Sequence, residues 1–91
     1  MQIHASEHAE INQALVELAT FSRPSDKFAP NILEKINAIL DECCHLPEWQ
    51  AEKHYMDAGL AAVVTYLAQT YPWLTPNAAH AVYHECMMYM K

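Results

Sequence analysis

The chain has 91 residues, 53 % of them hydrophobic and 18 % charged, with eleven acids against five bases and a formal net charge of −6. This length sets an expectation of a single domain with a modest core, and so apolar a composition excludes a disordered chain. Direct binding to DNA or RNA is not expected: replacing phosphate counterions takes clustered cations, and Arg23, Lys27, Lys35, Lys53 and Lys91 are scattered.

At the amino terminus no basic flank precedes a hydrophobic run, so no secretory signal is expected. The first predicted helix covers residues 6–21. Ser6 is a candidate cap, and Glu7 and Glu10 suit the positive end of the helix dipole. Ile11, Ala14, Leu15, Leu18 and Phe21 recur at steps of three and four and form its buried stripe. Residues 22–29 read as a loop, because Pro24 stops a helix and Ser25 and Asp26 supply turn chemistry. Phe28 is placed to fold back as a lid on the core.

The second helix is expected over 30–45, with Ile32, Leu33, Ile36, Ile39, Leu40 and Cys43 inward and Glu34, Asp41, Glu42 and His45 on the other side. Pro47 ends it by pushing Leu46 out of the helical region, and Trp49 is the anchor of the corner that follows. A third helix over 48–70 carries Met56, Leu60, Val63, Val64, Leu67 and Tyr71 as its main stripe. Its opposite side, Ala58, Ala61, Ala62, Thr65 and Ala68, is small and uncharged. A helix that is apolar or small all round is either central or packed on something outside the domain. The apolar run 58–68 is too short to span a bilayer. Gly59, the only glycine, costs about 1 kcal/mol against alanine in a helix interior and leaves room for a close backbone approach.

Pro72 ends that helix in an aromatic linker, with Trp73 read as a plug at the end of the bundle. A fourth helix follows over 76–90. Thr75 is its cap and Pro76 suits its first position. Ala79, Val82, Tyr83, Cys86, Met87 and Met90 form its core face, while Ala81 and Met88 fall on the side expected to be wet. With short connections and no strand-like alternation, the fold class is all-α, a compact four-helix bundle.

Charge is uneven along the chain. Residues 34–57 hold six acids and two bases, whereas residues 58–91 hold only Glu85 and Lys91. Three cysteines, two of them adjacent, make no disulfide framework. Together these features imply a soluble protein in a reducing, cytoplasmic setting.

Chemistry-bearing constellations are incomplete. His4 and His8, like His80 and His84, are one turn apart, and Glu42 to His45 has the Glu-x-x-His spacing of di-iron bundles, without the second copy such sites use. Cys43, Cys44 and His45 cannot all reach one ion from a single helix, where consecutive side chains diverge by about 100°. Cys43 therefore reads as core, Cys44 as bordering it, and His45 as a surface partner of Asp41. No nucleophile elbow or phosphate loop is present, so neither an enzyme nor a cofactor is expected.

In size, acidity and helical content the chain resembles the helix-bundle immunity proteins of bacterial nuclease toxins, although no shared motif carries residues across. The expected function is a non-catalytic protein-binding module, in one version a small acidic inhibitor, antitoxin or immunity protein acting on a basic, nucleic-acid-acting partner. Its expected contact residues are Glu34, Asp41, Glu42, Glu48 and Glu52 for charge, and Tyr71, Trp73 and Met88 as anchors. One alternative is a homodimeric assembly protein joined through the last two helices. The other is a metal-binding bundle using His80 and His84 with His4, His8, His54 or an acid.

Overall fold

A computed structural model of the chain describes residues 3–19, 28–52 and 56–88, the side chains at 19, 52, 56 and 57 not among them. The expectations for Phe21, the loop over 22–27, Met56, Met90 and the ligand candidate His54 lie outside the described residues.

Among the described residues the fold is an all-α bundle of four long helices and a short one. A 3-10 turn, Ala5–Glu7, leads into α1, His8–Ala19; α2 is Pro30–Cys44, α3 Pro47–Glu52, α4 Met56–Thr70 and α5 Pro76–Met88. The helix expected over 48–70 is thus two elements, and α3 packs back on α4. Periodicity on either side of residues 53–55 is helical in both cases, so the apolar pattern alone could not reveal the division.

The amino-terminal cap also differs from the expectation. His4, not Ser6, stands at the N-cap of the 3-10 turn, and its amide donates to Glu7 Oε1 at 3.0 Å. Glu7 can do more than neutralise a helix dipole from this position. Lys35 and Asn31 of α2 both donate to its carboxylate, joining the start of the chain to α2. At the start of α5, the Ala78 amide donates to Thr75 Oγ1 at 3.2 Å, so Thr75 is the cap the sequence indicates. Helix α2 opens on Pro30 with no side-chain cap, and ends where His45 leaves helical geometry ahead of Leu46 and Pro47.

The centre of the bundle is α5, against which α1, α2 and α4 all pack; α1 also packs on α2. The core combines Ile11, Ala14 and Leu15 of α1, Ile32, Ile36, Ile39, Leu40 and Cys43 of α2, Val63 and Leu67 of α4, and Ala78, Ala79, Ala81, Val82, Tyr83 and Cys86 of α5. Almost every member lies on an expected stripe. Ala81 is the correction: read as wet, it is 3 % exposed. A helix with neighbours on three sides buries positions beyond its main stripe, and alanine fits where helices approach closely. The small face of α4 takes the opposite role, with Ala61, Thr65 and Ala68 exposed.

Trp49 is the anchor of α3. It is 2 % exposed and meets the ring of Tyr83 edge-on, with centroids 5.8 Å apart. Truncating a buried indole of this kind costs about 3–5 kcal/mol, a large part of what holds a domain of this size folded. Phe28, half-buried, packs against the core as its lid position implied.

Candidate functional site

The outer face of α4 forms a largely apolar groove on the described surface. Ala58, Ala61, Ala62, Thr65, Tyr66 and Gln69 line it from α4, and Glu48 lines it from α3, around a volume of about 490 Å³. The positions run at steps of three and four, so they share one helix face. Small side chains there lower the helix surface, and Tyr66 and Gln69 are the larger side chains that α4 adds to the lining. Alanines in this pattern leave the backbone open to close approach by another helix.

The acidic candidates separate into two groups. Glu34, Asp41 and Glu48 are exposed, and Glu48 stands at the α4 groove. Asp41 has 76 % of its side chain in solvent and pairs with His45, whose Nδ1 lies 2.8 Å from the Asp41 carbonyl oxygen and 3.4 Å from its carboxylate. Lys35 does not offset these acids outwardly, because it is half-buried and spent on Glu7. The Glu52 side chain lies outside the described residues.

Glu42 does not belong to an exposed patch. It is half-buried, and its Oε2 accepts hydrogen bonds from the hydroxyls of Tyr66, at 3.3 Å, and Tyr71. Burial, together with the negative charge of Glu42, pushes the hydroxyls of Tyr66 and Tyr71 above the usual tyrosine range. Tyr71 is itself buried, so it braces the end of α4 against α2 instead of standing ready for a partner. The sequence shows Glu42 on the polar side of α2; it does not show that two tyrosines, one on α4 and one just past its end, cover that side.

Trp73 is likewise engaged within the bundle. Its indole stacks on the His8 imidazole, with centroids 4.0 Å apart and planes 4° from parallel, and meets Tyr71 edge-on. Asn12 of α1 fixes the same linker, its amide donating to the Trp73 carbonyl at 3.2 Å while its Oδ1 accepts from the Thr75 amide at 2.9 Å. Trp73 therefore closes one end of the bundle, as its plug reading implied. His8 is held in this stack while His4 is exposed.

His80 and His84 are exposed on α5. Among the described residues, no three His, Cys, Asp or Glu side chains are grouped to hold a metal ion, and no helix is long and apolar enough to cross a membrane. Among the described residues, Met88 is the exposed large hydrophobic side chain, at 61 %.

Two features were not foreseen from the sequence. Tyr66 and Gln69 line the α4 groove, and their spacing from Ala58 and Ala62 was a usable signal. Cys44 and Cys86 meet across 42 positions of sequence, with the sulfurs 3.3 Å apart, a juxtaposition that no local pattern encodes. No known family model, curated protein or solved structure matches the chain.

Proposed function

We propose that this chain is a non-catalytic protein-binding module whose α4 groove receives an amphipathic helix, with basic residues on its flank, from a partner protein. The observation that carries the reading is the exposed groove of small residues on α4, about 490 Å³ in volume, with Glu48 beside it. An amphipathic helix docks by laying an apolar stripe into such a groove. The net charge of −6 favours a basic occupant over a second copy of the same acidic chain. Glu34, Asp41 and Glu48 would contribute mainly to the rate of encounter, since exposed charges steer more than they bind. An inhibitor, antitoxin or immunity protein acting on a nucleic-acid-acting enzyme is one concrete form.

The test is a titration of the full chain with two synthetic amphipathic helical peptides of identical apolar face, one flanked by lysines and the other by glutamates. The lysine peptide should bind, more weakly as salt rises, and should perturb the NMR amide signals of Ala58, Ala61, Ala62 and Thr65. Ala61→Arg, at an exposed position, should abolish binding without unfolding the bundle. Glu48→Lys should weaken binding and flatten its salt dependence. Equal binding of both peptides would remove the charge argument, and indifference to Ala61→Arg would remove the α4 face from the proposal.

A further inference from the structure

We propose that Cys44 and Cys86 form a peroxide-responsive dithiol, with Cys44 as the thiol first oxidised and Cys86 as its resolving partner, giving a reversible disulfide between the end of α2 and α5. The geometry rests on two separate observations. First, the Cys44 thiol donates to Cys86 Sγ at 3.3 Å. A disulfide has its sulfurs about 2.05 Å apart, so the pair is a little over an ångström from bonding distance. Second, Cys44 is not sealed in. It lines a surface groove of about 420 Å³ with Asn37, Leu40, Asp41, His45 and Gln50. This opening, with Asn37, Asp41, His45 and Gln50 among its walls, admits a molecule as small as hydrogen peroxide. Cys86 is 1 % exposed and Cys43 is fully buried, so an oxidant arriving from solvent meets Cys44 first.

The chemistry balances with the peroxide as sole oxidant. The Cys44 sulfur attacks one peroxide oxygen; an S–O bond forms, the O–O bond breaks, the thiol proton passes to the departing oxygen, and one water leaves. The Cys86 sulfur then attacks the Cys44 sulfenic acid. The S–S bond forms, the S–O bond breaks, and the departing hydroxide takes the Cys86 proton as a second water. Two thiols and one peroxide thus become one disulfide and two waters. Burial raises the Cys86 thiol well above the usual cysteine range, and the neighbouring Cys44 adds to the rise. Cys86 is therefore a poor first nucleophile towards solvent, and its contribution comes from being held against the reacting sulfur. Cys43 is adjacent in sequence but diverges by about 100° around the helix, and burial pushes its thiol up to about 12.

The experiment treats the full chain with dilute hydrogen peroxide, removes the peroxide with catalase, alkylates remaining thiols under denaturing conditions, and maps an unreduced tryptic digest by mass spectrometry. Peptide 36–53, which holds Cys43 and Cys44, should be linked to peptide 54–91, which holds Cys86, with one alkylated thiol remaining. Fragmentation should place that alkyl group on Cys43, and dithiothreitol should restore three alkylated cysteines. Cys43→Ala should keep the cross-link; Cys44→Ala, at a partly exposed position, should lose it. The proposal is overturned if Cys44 proceeds to sulfinic acid while Cys86 remains alkylatable, if the cross-link uses Cys43, or if only disulfides between two chains form. Fragmentation of the wild-type digest distinguishes the first two of these outcomes, and the mass of the undigested, unreduced chain (monomer or covalent dimer) distinguishes the third, whether or not any variant folds.

Discussion

The Tyr71 hydroxyl donates to Glu42 Oε2, and Tyr66 donates to the same oxygen from within α4 at 3.3 Å. One carboxylate on α2 thereby holds two tyrosines that follow each other on or just beyond α4. Hydrogen bonds to a charged acceptor in a partly buried setting contribute about 1.5–3 kcal/mol each. Tyr71→Phe should lower the unfolding free energy obtained from urea titration by an amount in that range, and Glu42→Ala by more, because it strips both hydroxyls of their acceptor. A double-mutant cycle on Glu42 and Tyr71 should give a coupling energy well above experimental error. Additive losses would mean that the hydroxyl and carboxylate do not interact. Charge reversal at Glu42 would report on folding before it reported on any partner.

A second prediction concerns the linker ahead of α5. Asn12 bonds the Trp73 carbonyl and the Thr75 amide simultaneously, while Thr75 caps α5. Asn12→Ala should cost about 1–3 kcal/mol by leaving two backbone groups to find new partners. Thr75→Ala should cost about 1 kcal/mol, and Thr75→Ser should be nearly neutral, since the hydroxyl supplies the cap. Chemical denaturation of the three variants checks this. If Thr75→Ser were as damaging as Thr75→Ala, the methyl group and not the hydroxyl would be what matters.

The fold was legible because helical periodicity and helix ends are local. The spacing of Ile32, Ile36, Ile39, Leu40 and Cys43 shows which side of α2 is buried, and Thr75 with Pro76 marks where α5 begins. The same patterns do not encode which helix lies over which face. Glu42 and Ala81 show the consequence. Each was assigned to solvent from its own helix, and each is covered by a neighbour, Glu42 by Tyr66 and Tyr71 and Ala81 by the bundle around α5. The α4 groove was half legible, since the run of small residues is visible in sequence while its acidic edge comes from Glu48 on another helix.

Two carboxylates should impose opposite pH dependences on stability. Lys35, followed by the His4 amide, holds Glu7 below the usual carboxylate range. For a depressed pKa the unfolded chain binds more protons in the intervening window. The stabilisation is complete above the unfolded value and is lost as pH falls through the folded one. Burial raises Glu85, with His84 opposing. There the folded chain binds the extra proton, and stability is lost as pH rises from the usual carboxylate value through the folded one. Denaturation between about pH 3 and 7, spanning the carboxylate range, should show Glu7→Gln less stable than wild type at neutral pH, the gap closing in acid. Glu85→Gln should be more stable than wild type at neutral pH, and that gap should also close in acid. The same sign for both variants would contradict these environments.

The last prediction separates a heterologous partner from a second copy. Met88 is 61 % exposed near the end of α5 and is not among the residues lining the α4 groove. Met88→Glu should therefore change stability by no more than about 0.5 kcal/mol, as for ordinary surface substitutions. Two copies of a chain with net charge −6 repel each other most strongly at low salt, where screening is weakest. Sedimentation at low salt should accordingly give a monomer for wild type and for Met88→Glu, and both should bind the lysine-flanked peptide equally. A wild-type dimer that Met88→Glu dissociates would replace the heterologous reading with a homodimer built on α5. A dimer dissociated by Ala61→Arg and untouched by Met88→Glu would keep the α4 groove as the interface and make a second copy its occupant. The pair of substitutions distinguishes these cases because one lies in the groove and the other at the far end of a different helix, so neither can stand in for the other.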